Sequence, residues 1–516
     1  MKRALKHHPS LPLLLLAAWL LATAWIRPLA LPDEGRYVGV AWDMLGSGDW
    51  LVPRLDSLPY FHKPPLFYWI TACSLAVFGP SEWAARAAPL LGAFAGASAL
   101  YFFMRRWRGE TAARWSLLAV ATQPLFFVGG QFANLDMLVA GCIAVCVLGF
   151  AHATLSAEAG QRSAGGLIAG YAFAALGLLA KGLIGIVLPG MILVAWLLLR
   201  RQWRLIPRLL WIPGLLLFAA VAAPWFVAMQ LRFPQFFHYF FVVQHFERFA
   251  QSGFNNQQPV WFFVVVLALL ALPWSAWLLR STVLPREAPA RAVAQLAWLW
   301  LVVVLVFFSL PRSKLVGYIL PATFPLALLV ADVFARRAGE DRARRWWRVS
   351  AGAASLLCLA GVALGAAFPR DSARQLGRAL RPLAAPGEHL VFLHNYYFDL
   401  PFYAGWRGPV KVVEDWDDSE LTGRDNWRKE LADAGQFDPQ QARALLKLPA
   451  DVPDLRCGVA PVWVVGRRAM EKRYPMLLHA EVVATERDVV LWRVQASGVN
   501  AADCGGTPSA NPGDKS

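Results

Sequence analysis

Two carboxylates stand side by side in Pro32-Asp33-Glu34-Gly35-Arg36-Tyr37, and one ammonium is set before a proline pair in Phe61-His62-Lys63-Pro64-Pro65-Leu66. A carboxylate so placed can take a proton as a general base or stabilise developing positive charge. Proline keeps the residue before it extended, so Lys63 is held rigidly, and a rigid ammonium meets a phosphate as a point charge. The ordinary readings stay open: acids cap helices, and lysines at a membrane edge snorkel toward the headgroups.

Other residues with chemical potential are spread along the chain. Asn134 and Asp136 open an apolar stretch, either as caps or, for Asp136, as an acid that must face a cavity. Lys181, followed by Gly182, is either a turn residue or a phosphate ligand. In Gln244-His245-Phe246-Glu247-Arg248-Phe249, His245 and Arg248 share a helix face. His62 and His245 would give a divalent metal (Zn, or Mg/Mn) two ligands, although two histidines from distant segments are more often ordinary polar contacts. Lys314 and Tyr318 begin another apolar stretch, where Tyr is also a routine interfacial anchor.

The elements that must position these residues are membrane helices. Of 516 residues 57% are hydrophobic and 16% charged, against roughly 45–50% and 25% in soluble domains. Apolar runs near the length of a bilayer span recur at 11–31, 83–104, 113–130, 135–155, 164–180, 182–199, 209–229, 260–279, 294–310, 316–335 and 349–368, about eleven in all. The first carries Trp25 and Arg27 where a signal peptide has small residues, so it reads as an uncleaved helix. Basic clusters at Arg105–Arg114, Arg200–Arg208 and Arg336–Arg348 alternate with the basic N-terminus (Lys2, Arg3, Lys6) and mark the cytoplasmic face. The outer face then receives loop 32–82, 130–134, the turn at Lys181-Gly182, 230–259, 311–315 and the C-terminal part, which gathers the polar residues above on one side. Within the first of these loops, Tyr37, Val40, Ala41, Met44 and Leu45 recur at helical spacing up to Gly46-Ser47-Gly48. That predicts an amphipathic interfacial helix over 36–45, with Asp33 and Glu34 at its N-terminus, where the dipole favours their charged forms.

The net charge of +16 is largely this topological arginine set, facing anionic lipid headgroups, and it argues for no nucleic acid. From Pro369 the composition changes. Strands are expected at 389–394, 410–413, 462–465 and 489–494 and helices at 371–383 and 438–446, a small α/β domain. The fold class is therefore an α-helical polytopic membrane protein with a small C-terminal extracytoplasmic α/β domain: 1–368 in the membrane, 369–504 outside, and 505–516 a disordered tail. Cys73, Cys142, Cys146 and Cys358 read as packing residues, whereas Cys457 and Cys504, in an oxidising compartment, are expected to pair.

Pro32–Tyr37, Phe61–Leu66, Asn134–Asp136, Gln244–Phe249 and Ser313–Pro321, taken together and in this order, resemble the lipid-linked sugar transferases typified by the lipid A aminoarabinose transferases, and more distantly the protein O-mannosyltransferases. The resemblance covers residues 11 to 335. It implies a GT-C glycosyltransferase of the bacterial inner membrane that takes a sugar from an undecaprenyl phosphate carrier to lipid A or another periplasmic acceptor. It further implies that Asp33 is the catalytic acid and Asp136 a second acid of the cavity. By the same likeness Lys63, Arg248 and Lys314 contact the carrier phosphate, and Tyr318 lies near the donor. Glu34, Arg36 and Tyr37 support the site, Glu34 from the side of a metal if there is one. Where close relatives have Glu before Lys-Pro-Pro this chain has His62, which would shift any metal toward zinc-like ions. A transporter would also have many spans, but its charges belong near the midplane on interrupted helices. Here they stand at span ends on one face, which favours an interfacial enzyme. Neither the sugar nor the acceptor is legible in these residues.

Overall fold

The computed structural model describes residues 10–247, 256–281, 284–337, 339–369, 371–418, 426–456 and 460–496, without the side chains of 208 and 245–247. The chain divides into two compact units: one runs to Pro53 and resumes from Tyr60 to Arg370, and the other joins Arg54–Pro59 to the chain from Asp371 onward.

The first unit is a helical bundle. Among the described residues seven helices are long and apolar enough to cross a membrane: Ala87–Arg108, Leu135–Glu158, Ala164–Lys181, Ile212–Arg232, Ala288–Ser309, Val316–Ala335 and Asp341–Ala367. Helix α1 (Ser10–Leu21) and Ile184–Leu199 are shorter apolar helices. The remaining expected spans are interrupted, two of them at a proline. The run 113–130 breaks into Glu110–Ala121 and Pro124–Gly130, with Pro124 opening the second piece. The run 260–279 gives Phe262–Leu270 and then, past Pro273, a 3₁₀ turn at Ser275–Arg280. Proline lacks the N–H that a continuing helix needs and fits best in a first turn. The span expected over 11–31 stops at Leu21, and turns carry the chain on to Pro32. Arg27 falls in that turn segment, where its charge can be paired rather than lie inside a span.

Leu135–Glu158 lies at the centre of the bundle with nearly every residue buried. Its Gly141 faces Gly92 of Ala87–Arg108 so closely that a Cβ on either would strike the other helix's backbone. Small residues let two membrane helices approach this way.

Two helices hold the expected first loop together. Helix α2 (Asp33–Ser47) starts three residues earlier than the apolar spacing predicts, so both acids lie in its first turn, and it ends at Gly48 in the left-handed conformation with its N–H on Met44 O. Its inner face, with Tyr37, Val38, Val40, Ala41 and Met44, is covered by protein rather than lying on lipid. Much of that cover is helix α3 (Leu66–Phe78), which forms inside the expected outer loop 32–82; Tyr37 meets Phe67 with ring centroids 5.7 Å apart.

The second unit is built on a six-stranded sheet. A two-residue turn at Asp56-Ser57, both at positive φ, joins β1 (Arg54–Leu55) to β2 (Leu58–Pro59), and Asp56 accepts a bond from Val410 N at 2.8 Å. The sheet comprises β3 (His389–Leu393), β4 (Lys411–Val413), β5 (Leu446–Lys447), β6 (Val462–Arg467), β7 (Glu481–Glu486) and β8 (Val489–Val494), in the order β5-β4-β3-β6-β8-β7. Strands β3 to β6 run parallel, and β8 and β7 close one edge antiparallel. Four of these strands fall where alternation predicts them. The helices expected at 371–383 and 438–446 appear as Arg374–Leu380 and Pro439–Leu445. Strands β5 and β7 and helix Trp427–Gly435 were not expected. Cys457, Cys504 and the tail 505–516 lie outside the described residues. Of the other cysteines, Cys142, Cys146 and Cys358 are buried, as packing residues would be, and Cys73 is exposed.

Candidate functional site

Adjacent residues on a helix point roughly 100° apart, so Asp33 and Glu34 of α2 cannot face the same way. Glu34 turns inward and is completely buried. Its Oε1 accepts from Arg86 Nε at 2.9 Å and Ala133 N at 2.8 Å, and its Oε2 from Ala30 N at 2.9 Å, Arg86 Nη2 at 3.1 Å and Arg27 Nη1 at 3.2 Å. Burial alone would push this carboxyl up, but the two guanidinium groups and the Ala133 N–H outweigh it and hold it at about 2. Arg86, itself fully buried, spends its other donors on the carbonyls of Ala24, Arg27 and Pro28. Arg27 reaches Gln131 O at 2.7 Å. One carboxylate thus ties the turns after α1, the start of α2, the start of Ala87–Arg108 and the loop before Leu135–Glu158 into one knot.

Asp33 turns outward. Its side chain is 40% exposed and bonded to Arg36 across one helical turn at 2.5 Å. The Arg36 guanidinium in turn lies 5.0 Å from the Tyr37 ring centre, while Tyr37 is buried against α3.

The loop that meets Glu34 through Ala133 leads directly to Asp136. Asn134 caps the following helix, accepting from Asp136 N at 2.9 Å and donating to its Oδ2 at 3.1 Å. The Asp136 carboxylate pairs with Lys181, whose ammonium sits 4.5 Å from the centre of the Tyr318 ring. Gly317 lies against that carboxylate, where any Cβ would overlap it. Asp136, Lys181 and Tyr318, from three separate segments, therefore form one cluster.

The other expected residues are less concentrated. Lys63 is half-buried at the bend before Pro64-Pro65. His62 is buried and stacked on Tyr60, with ring centroids 4.6 Å apart, and near Tyr239. The buried Lys314 ammonium turns to the carbonyls of Gln258 at 2.9 Å and Pro311 at 2.5 Å. Arg248 and the side chain of His245 lie outside the described residues. Among those described, no three His, Cys, Asp or Glu side chains converge as metal ligands. Glu34, read from the sequence as a residue on the metal side, is enclosed by Arg27 and Arg86, an electrostatic setting that suits no cation. The metal expected on His62 and His245 depends on a side chain outside the described residues.

Sequence reasoning missed Arg86 and Gln131 and saw Arg27 only as a poor cleavage-site residue. A signal was present: an arginine at the edge of an apolar run demands a partner, and Glu34 was the acid available.

Residues 62–227 match the family model described as dolichyl-phosphate-mannose-protein mannosyltransferase. An undecaprenyl phosphate-α-4-amino-4-deoxy-L-arabinose arabinosyl transferase of Aeromonas salmonicida is 34% identical over 373 residues, which is 70% of this chain and 66% of that protein. Its counterpart from Erwinia tasmaniensis is 33% identical over 59% of this chain and 55% of that protein. The chain thus matches between about half and two thirds of the length of these relatives. Among solved structures, ArnT from Cupriavidus metallidurans bound to undecaprenyl phosphate superimposes with a TM-score of 0.78 at 25% identity, covering 95% of this chain and 98% of that one. The archaeal oligosaccharyltransferase AglB from Archaeoglobus fulgidus shares the fold alone, with a TM-score of 0.53 at 13% identity over 90% of this chain and 70% of that one. The motifs from Pro32 to Pro321, the bundle that carries them and these relatives agree: the chain belongs to the GT-C family of lipid-linked sugar transferases that includes the aminoarabinosyl transferases.

Proposed function

We propose that this protein is a membrane glycosyltransferase that moves a sugar, aminoarabinose or a related one, from undecaprenyl phosphate to lipid A or another acceptor. The observation that carries the reading is the division of labour in the acidic doublet. Glu34 is locked in a buried ion knot, and the knot presents its neighbour Asp33, half-exposed, at the first turn of α2. The basic loops at the opposite helix ends support the reading that this end of the bundle is at the periplasmic face of the inner membrane.

A polyprenyl phosphate is a good leaving group once its growing negative charge is met. Lys63, Arg248 and Lys314 are the cations proposed for that role. Lys314 now donates to two carbonyls, so a phosphate would have to draw it from those weaker acceptors. Asp136 and Lys181 act as a pair that fixes Tyr318 beside the donor. When the acceptor is a hydroxyl, Asp33 takes its proton as the sugar C1–O bond to phosphate breaks and the new C1–O bond forms. When the acceptor is itself a phosphate it is already ionised, and Asp33 instead orients it or faces the positive charge developing at C1. The match to the protein mannosyltransferase model keeps a protein hydroxyl among the acceptors to be tested.

The test is purified enzyme given a panel of polyprenyl-phosphate sugars with membrane lipids and peptide acceptors, read by product mass. Asp33→Asn should lower turnover at least about 10²-fold with its melting temperature unchanged. Near-normal turnover in that variant would sink the assignment of Asp33, and no mass gain on any acceptor would sink the transferase reading.

A further inference from the structure

The sheet of the second unit contains a feature that glycosyl transfer does not use. From β3 the chain moves outward through β4 to β5, then returns to lay β6 along the other side of β3. The direction of winding therefore reverses between β3 and β6. In open α/β sheets, ligands bind in the crevice outside the carboxyl ends of the strands at such a reversal.

That position is occupied here by a cavity of about 400 Å³ lined by Leu393, His394, Asn395, Trp427, Arg428, Arg467 and Met470. Leu393 ends β3 and Arg467 ends β6, while Trp427 and Arg428 open the helix capped by Asn426. His394 has φ of 51°, a left-handed conformation uncommon outside glycine, and strain of this kind collects at functional sites.

The polar lining is organised from behind by one carboxylate. Glu414, at the end of β4, accepts from Arg428 Nε at 2.8 Å and pairs with His394 Nδ1 at 2.9 Å. Burial works to raise the Glu414 carboxyl, but its bonds to His394, Asp415 N and Arg428 hold it at about 2. On its far side the His394 ring bonds Tyr474 Oη through Nε2 at 2.7 Å. Arg428 lies over the Trp427 ring, 4.7 Å from its centre. Arg467 is two-thirds exposed and only loosely paired with Asp488 at 3.5 Å.

Among the described residues no carboxylate lines the cavity: its polar groups are two guanidiniums, an amide and an imidazole, with Trp427 and Met470 as an apolar wall. Guanidiniums match phosphate and carboxylate oxygens in pairs, and an aromatic wall suits the apolar face of a sugar ring. We propose that this crevice is a binding site for a small anionic saccharide, a sugar bearing a phosphate or carboxylate, separate from the transfer site.

The experiment is isothermal titration of the full-length protein in detergent with glucose 1-phosphate, using inorganic phosphate and methyl glucoside as comparisons. Glucose 1-phosphate should bind more tightly than either. Binding should weaken about tenfold or more in Arg467→Glu and in Trp427→Ala, the loss expected for a charged hydrogen bond or a ring contact. Both variants should melt as the parent does, since Arg467 lies at the surface and Trp427 is backed by the Asn426 cap. Lys63→Ala should leave this binding intact. Loss in Lys63→Ala but not in Arg467→Glu would move the ligand to the transfer site and overturn the proposal. So would inorganic phosphate binding as well as the sugar phosphate, or no heat at millimolar ligand. A phosphorylated glycolipid in nanodiscs that displaces glucose 1-phosphate would identify the ligand as a lipid headgroup, and failure to displace it would identify a free sugar phosphate.

Discussion

Asp33 and Glu34 are chemically alike and adjacent, yet the helix sends one to the surface and the other into the knot of Arg27 and Arg86. Removing one member of a buried, fully bonded ion cluster leaves an uncompensated charge, which typically costs about 3–5 kcal/mol. Glu34→Gln should therefore lower the melting temperature of the purified protein markedly, with loss of turnover following from loss of structure. Asp33→Asn should do the reverse, sparing stability and removing turnover. Arg86→Lys should also destabilise, because a point-charge ammonium cannot serve Glu34 and three carbonyls in the guanidinium's planar fork. A parent-like melt for Arg86→Lys in detergent would show that the fork geometry does not matter.

At the scale of elements, the motif around Tyr318 gains its place from a glycine. Gly317 lies against the Asp136 carboxylate, which pairs with Lys181 beneath the Tyr318 ring. A methyl at Gly317 must displace either the carboxylate or the turn, and a misplacement near 1 Å can cost about 10²-fold in rate. Gly317→Ala is expected to lower kcat on that order with insertion and melting near normal; an unchanged kcat would detach this cluster from the chemistry. Most of these elements were legible in the sequence, because a membrane helix announces itself as an apolar run. The breaks at Pro124 and Pro273 were not located, since hydropathy averages across a proline. Helix α3 was missed because its apolar residues follow Pro64-Pro65 in a loop assigned by topology. In the sheet, β5 is two residues long and β7 begins on exposed residues, so neither shows a clear alternation. Of the site, Asp33 and the Asp136, Lys181 and Tyr318 segments could be nominated from residue type. That Lys181 pairs with Asp136, and that Glu34 is structural, depends on contacts more than 40 residues apart in sequence.

The two units carry buried carboxylates of opposite habit, and this gives the whole molecule a pH dependence whose sign can be worked out. Glu34, held at about 2 against an ordinary 4.5, contributes stability that is fully present above pH 4.5 and lost only as pH falls through about 2. Asp399 of the second unit is buried with hydrogen bonds from Ser372 Oγ at 2.7 Å and Ala373 N and, among the described residues, no cation paired with it, so burial, helped by the Glu486 charge, pushes it up to about 7. A raised carboxyl contributes stability that is present below its unfolded value of 3.8 and is lost as pH rises through about 7. The loss amounts to about 4 kcal/mol across that interval. Glu414, held at about 2, keeps its contribution throughout this window. His389, whose protonated form burial disfavours, works against the trend toward acid. Glu486, whose charge raises Asp399 and which is itself raised by burial, works in the same sense, so the difference between parent and variant reports the Asp399 carboxyl together with its coupling to Glu486. Scanning calorimetry of the full chain and of Asp399→Asn from pH 4 to 8 should show the parent losing stability relative to the variant as pH rises, with most of the change complete by pH 7. The amide keeps an acceptor for Ser372 and Ala373 without the charge. Parallel melting curves across the range would mean that Asp399 reaches water or a cation when it ionises, and that the second unit opens enough at neutral pH to admit one.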